Sequence, residues 1–206
     1  SYSQAAMGIQ SDSDFGGMSI LPRRWVGFAE SHDEERNFYK AKMWGSGTVK
    51  TDSLYRISRV PLNIAFNTLV PGPKMVWQFG EMGFDYSIDA LGGRTSEKPS
   101  AFGWLNNLAH RKAAYDMSSK IISLRKMFPT AFTQGTFELN IGNNDWSNGR
   151  RIGLKHADLN MVVLGNFQAD ASITASPNFP KTGIWYELLT DQELNVTNAQ
   201  MTMNMT

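Results

Sequence analysis

A change of hydrophobic period at Pro129 divides this chain into two differently built parts. Before it, apolar residues recur three and four apart, the spacing of a helix face. After it, they alternate with polar residues, the spacing of a half-buried strand. The sharpest helical pattern comes just upstream: Ala114, Met117, Ile121, Leu124 and Phe128 make one stripe, with Arg111, Lys112, Ser118, Ser119, Arg125 and Lys126 off it. Arg125 and Lys126 would complement the dipole in the last turn, and Pro129 would end the helix. Downstream, Phe137, Leu139 and Ile141 alternate, then Ile152 and Leu154, with Asn148-Gly149 between them as a two-residue hairpin signal. Met161 to Leu164, Ala171 to Ala175, Gly183 to Leu189 and the closing Met201, Met203 and Met205 continue the series. Several short strands at regular spacing imply an antiparallel β-sandwich or Greek-key barrel over 131–206.

Residues 1–130 carry a βα rhythm instead. Trp25 to Ala29 is an apolar strand, and polarity rises abruptly at Glu30 through Ser31, His32, Asp33, Glu34, Glu35 and Arg36. A helical stretch follows from about Asp52 to Val70, with Leu62, Ile64, Ala65, Phe66, Leu69 and Val70 on its apolar face. Pro61, which lacks an amide proton, sets Ile57 to Val60 apart as a separate turn. Pro71-Gly72-Pro73 stops the helix, Met75 to Phe79 reads as a second strand, and Gly80, Glu81 and Gly83 open another loop. Two parallel strands joined by a helical crossover are the economical arrangement. Catalytic groups in such folds gather at the carboxyl ends of the strands, where His32 and Asp33 stand. A His-Asp pair can equally cap a helix or bond a loop carbonyl. The long segment from Asp85 to Asn107, with Gly92-Gly93, Lys98-Pro99 and Trp104, has the length of a loop that binds or covers something.

Composition removes several functional classes. With 41% hydrophobic and 19% charged residues the 206-residue chain can build a core and is not disordered. A net charge of +1, without clustered basic residues, leaves no field to draw nucleic acid. No stretch approaches the roughly 20 apolar residues of a membrane span. The absence of cysteine rules out thiolate chemistry, disulfides and cysteine-ligated zinc. Asp12-Ser13-Asp14-Phe15-Gly16-Gly17 resembles a calcium loop, but the position for its bidentate Glu is Arg23, which favours a plain turn. The chain opens at Ser1 with no leader and stops inside its Met/Thr strand, so it is expected to be a piece of a longer polypeptide lacking its last strand.

Phe28-Ala29-Glu30-Ser31-His32-Asp33 resembles the seventh-strand motif of the α-amylase family of glycoside hydrolases. Pro71-Gly72-Pro73-Lys74, with Gly80-Glu81 after the next strand, resembles that family's eighth strand and its loop. The order of kinked helix, strand, long loop, amphipathic helix and β-module extends the likeness over nearly the whole chain. The resemblance implies a fold of α/β plus all-β type: repeats 7 and 8 of a (β/α)8 barrel over 1–130, then β-sandwich domain C over 131–206. Family enzymes cleave α-1,4-glucans with retention, through a nucleophile and an acid/base on the fourth and fifth strands. Neither strand lies in this chain, so the segment alone is expected to be inactive.

By the same resemblance Asp33 would be the third acidic residue, bonding sugar hydroxyls and stabilising the transition state, with His32, Glu30 and Glu34 binding substrate around it. Glu30 and Ser31 stand where the family often has Asp and Asn, which leaves subsite preference open. No cofactor is implied for this segment; calcium would belong to the full-length enzyme. The expected partner is an α-glucan polysaccharide or oligosaccharide, and a polymeric substrate favours a secreted or periplasmic parent. Bare faces of an unclosed barrel would also favour self-association. Other readings are a glucanotransferase or branching enzyme, or a non-catalytic glucan-binding homologue using Trp146, Trp185 and Tyr186. A metal-dependent phosphohydrolase would need further ligands, and only His110 and His156 remain.

Overall fold

The protein is described by a computed structural model covering residues 2–10, 26–141 and 146–206. Trp25 and residues 12–17, expected to form a turn, lie outside the described residues. The two anticipated parallel strands are present but short: β1 (Gly27–Phe28) pairs with β2 (Lys74–Met75), Gly27 opposite Lys74 and Phe28 opposite Met75. The strand expected to run on to Phe79 ends at Met75. Phe79 adopts a left-handed φ of 62° and leads into a 3-10 turn, Gly80–Met82. No closed barrel forms among the described residues.

Among the described residues one helix precedes β1, and the crossover from β1 to β2 is a run of four more. Helix α1 (Tyr2–Met7), which the sequence pattern did not suggest, buries Tyr2, Ala5 and Ala6. Helix α2 (Asn37–Trp44) and α3 (Gly47–Thr51) precede α4 (Ser53–Ser58), which starts because Asp52 accepts from the amides of Leu54 and Tyr55 at 2.8 and 3.2 Å. Helix α5 (Val60–Thr68) restarts at Pro61, whose missing amide proton costs nothing in a first turn. The proline thus marks a break at Arg59, and Ile57 belongs to α4 rather than to an isolated turn.

The long segment ends in the short α6 (Trp104–Asn107), the 19-residue α7 (Ala109–Met127) follows it, and Pro129 opens α8 (Pro129–Gln134). The buried line of α7 differs from the stripe of apolar residues. It runs through Arg111, Ala114, Ser118 and Ile121, while Met117 is 40% exposed. The reason is hydrogen bonding: Arg111 donates to the carbonyls of Met82 and Gly83 and pairs with Asp85 at 3.0 Å, and Ser118 donates to the Glu81 carbonyl. Arg125 likewise donates to the carbonyls of Thr68, Val70 and Gly72, tying α7 to the end of α5. Side chains classed as polar by pattern therefore face inward because loop carbonyls lie opposite them.

The change to strands falls at Gly135. Strands β3 (Thr136–Asn140), β4 (Arg150–Lys155) and β5 (Asn160–Gly165) form an antiparallel sheet. Asn140 pairs with Arg151, so Asn148-Gly149 is not a two-residue hairpin but the end of a longer connection, closed by the Gly149 amide donating to the Trp146 carbonyl. β6 (Ile173–Ala175) pairs with β9 (Met203–Met205), and β7 (Gly183–Tyr186) with β8 (Glu193–Val196), giving two separate antiparallel ribbons. One core crosses from helices to strands. Phe66 of α5 meets Phe167 edge-on at 5.0 Å, and Phe167 in turn meets Trp146 at 5.9 Å. Buried Arg59 donates to the carbonyls of Phe167, Gln168 and Ala5, fixing the segment after β5 against α1 and α5.

Candidate functional site

The loop leaving β1 carries all four residues expected at the site, and the structure sorts them into two groups. Glu30 faces inward. One carboxylate oxygen accepts twice from Arg36, at 3.1 Å from Nε and 2.7 Å from Nη2, and the other accepts from the Asn37 amide at 2.7 Å. Arg36 also donates to the Gln78 carbonyl at 2.8 Å, and its guanidinium lies 4.8 Å from the Phe84 ring centre. Both members of this pair are under a tenth exposed, and Glu30, expected among the substrate-binding groups, has both oxygens engaged inside the protein. A buried carboxylate needs such partners, because desolvation would otherwise push it to its neutral form.

His32, Asp33 and Glu34 face outward. The side chains of His32 and Asp33 are each 70% exposed, with His32 Nε2 3.4 Å from Asp33 Oδ1. The backbone beneath them is held firmly. The Asp33 amide donates to Ser31 Oγ at 3.1 Å, Ser31 Oγ in turn donates to the Glu34 carboxylate, and Arg94 donates to the Asp33 carbonyl at 2.7 Å. Glu35 closes the loop against the following segment, accepting from Ser87 Oγ at 2.7 Å and the Ile88 amide at 2.9 Å. The result is a pinned turn presenting an imidazole and a carboxylate to solvent at the carboxyl end of a parallel strand.

Two neighbours could not be assigned from the sequence pattern. Trp77, just past β2, places its ring 5.7 Å from that of His32 at 44°. Glu81, in the turn after it, is half-buried; burial pushes its carboxyl above the usual range and the Glu30 charge adds to that, opposed by Arg36. Both were visible only as members of the second strand and its loop. Beyond them, Phe79, Phe84, Tyr86, Phe102 and Trp104 form a connected set of aromatic contacts, Phe84 stacked on Trp104 at 5.6 Å.

Beneath the loop lies a recess of about 20 Å³ lined by Glu30, Asn37, Asn63, Asn67, Trp77 and Gly80. That is room for about one water and far below the several hundred Å³ of a small-molecule pocket. No cluster of three or more metal-ligating side chains occurs among the described residues. His156 sits 3.6 Å from Asp158, and burial lowers the His110 pKa. In the strand half, Trp146 is fully buried in the core, so it is not open to a glucan as the binding-homologue reading requires. Trp185 rests on Phe179 at 4.9 Å and donates to the Lys181 carbonyl, while Tyr186 is exposed. No helix among the described residues is long and apolar enough to cross a membrane.

The backbone arrangement is similar to those of an α-amylase, of AmyP and of a γ-CGTase. AmyP, solved in complex with maltose, matches with a TM-score of 0.71 and 14% identity over 99% of this chain and 46% of that one. The α-amylase of Geobacillus thermoleovorans, solved with acarbose, matches at 0.64 and 15% identity, over 99% of this chain and 44% of that one. The γ-CGTase of alkalophilic Bacillus clarkii matches at 0.64 and 15% identity, over 99% of this chain and 29% of that one. The chain thus spans less than half the length of these structures. No family model and no curated protein sequence matches it.

Proposed function

We propose that this chain is the C-terminal part of an α-amylase-type retaining glycoside hydrolase acting on α-1,4-glucans, comprising barrel repeats seven and eight and domain C. The observation that supports this best is the placement of His32 and Asp33. They stand side by side at the carboxyl end of a parallel strand, in a chain whose whole length follows the fold of enzymes solved with acarbose and maltose. In this reading Asp33 accepts hydrogen bonds from sugar hydroxyls and favours the positively charged, distorted sugar of the transition state; His32 and Glu34 bind neighbouring hydroxyls. Glu30 serves by holding the loop through Arg36. The similarity to a γ-CGTase supports transfer to a second glucan as the alternative outcome of the same chemistry.

The nucleophile and acid/base of such an enzyme belong to other strands, so the chain alone binds glucan weakly and turns none over. Titration with maltotriose, followed by amide shifts, should perturb residues 31–34 and lose that response in Asp33→Asn. An unchanged spectrum in the wild-type chain, or release of chromophore from a chromogenic maltooligosaccharide, would overturn the respective half of the proposal. Val26 and Phe28 at the strand pair are 56% and 41% exposed, which supports association of that face with a neighbouring segment or copy. A monodisperse monomer in sedimentation would count against it.

A further inference from the structure

Trp77 leaves β2 two residues after Met75, and its backbone is fixed where its carbonyl accepts the Gly80 amide at 2.9 Å. One side of its half-buried side chain lines the recess against Asn63, Asn67 and Gly80. The ring meets the His32 imidazole at 5.7 Å and 44°. An imidazole that is 70% exposed, with Asp33 at 3.4 Å as its polar neighbour, has little else to choose one rotamer for it. A fixed aromatic surface alongside removes that freedom before any ligand arrives.

We propose that Trp77 is a positioning residue for His32: contact between the two rings holds the imidazole beside Asp33, ready to hydrogen-bond a glucan hydroxyl. The proposal rests on the reading of His32 and Asp33 as glucan-binding groups, and adds a residue from the second strand to a site otherwise built from one loop.

The test uses the full chain and two readouts. In the free protein, Trp77→Ala should move the His32 ring-proton resonances to the positions of a freely rotating histidine, and Trp77→Phe should keep most of the displacement. Unchanged His32 resonances in Trp77→Ala overturn the proposal. For maltotriose, Trp77→Ala and His32→Ala should each weaken binding about three- to tenfold, and the double variant no more than either alone. Additive losses would overturn it, since Trp77 would then act on the sugar or the fold directly. If the wild-type chain shows no maltotriose response, the glucan-binding reading fails while the ring-proton comparison still decides the role of Trp77. Should Trp77→Ala fail to fold, Trp77→Phe and Trp77→Leu carry the same comparison.

Discussion

Two acid-base pairs sit on one loop within seven residues, and they could hardly differ more. Glu30 and Arg36 are buried, with both carboxylate oxygens hydrogen-bonded and the guanidinium donating to Glu30 and to the Gln78 carbonyl. His32 and Asp33 are 70% exposed and bonded loosely to each other. The difference separates two uses of charge. An ion pair taken out of water must be fully partnered, and removing one member leaves a charge that the interior cannot solvate. A pair left in water contributes little to stability and keeps its hydrogen-bonding capacity for a ligand. Here the first pair holds the turn on which the second is displayed.

The largest effect should come from breaking the buried pair. Arg36→Met should destabilise the fold by about 3–5 kcal/mol in chemical denaturation, and adding Glu30→Leu should recover much of the loss by removing the stranded carboxylate. If Arg36→Met cost no more than an exposed substitution, the contrast between the pairs would collapse. Next, Glu35→Ala should cost about 1–3 kcal/mol, because it leaves the Ser87 hydroxyl and the Ile88 amide without their acceptor. The same variant should raise hydrogen exchange in the segment around Ile88.

Lys74, at the start of β2, extends the contrast through pH. Burial, reinforced by the Arg125 charge, lowers its pKa from 10.5 to about 8, so the folded state disfavours the charged ammonium. A group depressed in this way destabilises fully below pH 8, and the penalty fades as pH rises toward 10.5. Lys74→Met should therefore be more stable than wild type at pH 7, with the difference in denaturation midpoint closing across that window. A gap that stayed constant with pH would show that the lysine head reaches solvent. The smallest effect belongs to the exposed pair: Asp33→Asn should change stability by less than about 0.5 kcal/mol while abolishing the maltotriose response at residues 31–34. A large loss of stability would mean that Asp33 is a structural residue after all.

Much of the scaffold was legible because its causes are local. The helix start near Asp52, the break at Pro61 and the alternation in β3, β4 and β5 follow from neighbours a few residues away. The abrupt rise in polarity after Ala29 likewise placed a strand end at the loop holding His32 and Asp33. Helix α7 was recognised as a helix, but its buried face was misread because Arg111 and Ser118 look like surface residues by pattern. Trp146, a candidate sugar platform in the alternative binding reading, packs on Phe167 inside the core.

What the amino-acid order determined by itself was the change from helical to strand period, the positions of the proline breaks, and the presence of an imidazole and a carboxylate at a strand end. Only the tertiary structure decided which charges of the loop turn inward. Arg36 reaches Gln78, 42 residues away, and Arg111 reaches Met82, 29 residues away. A charge is buried when distant carbonyls and carboxylates are assembled around it, and no local period encodes where those partners will stand. Glu30 and Asp33 are the same kind of residue three positions apart. Long-range assembly gives one of them a structural role and leaves the other facing the solvent.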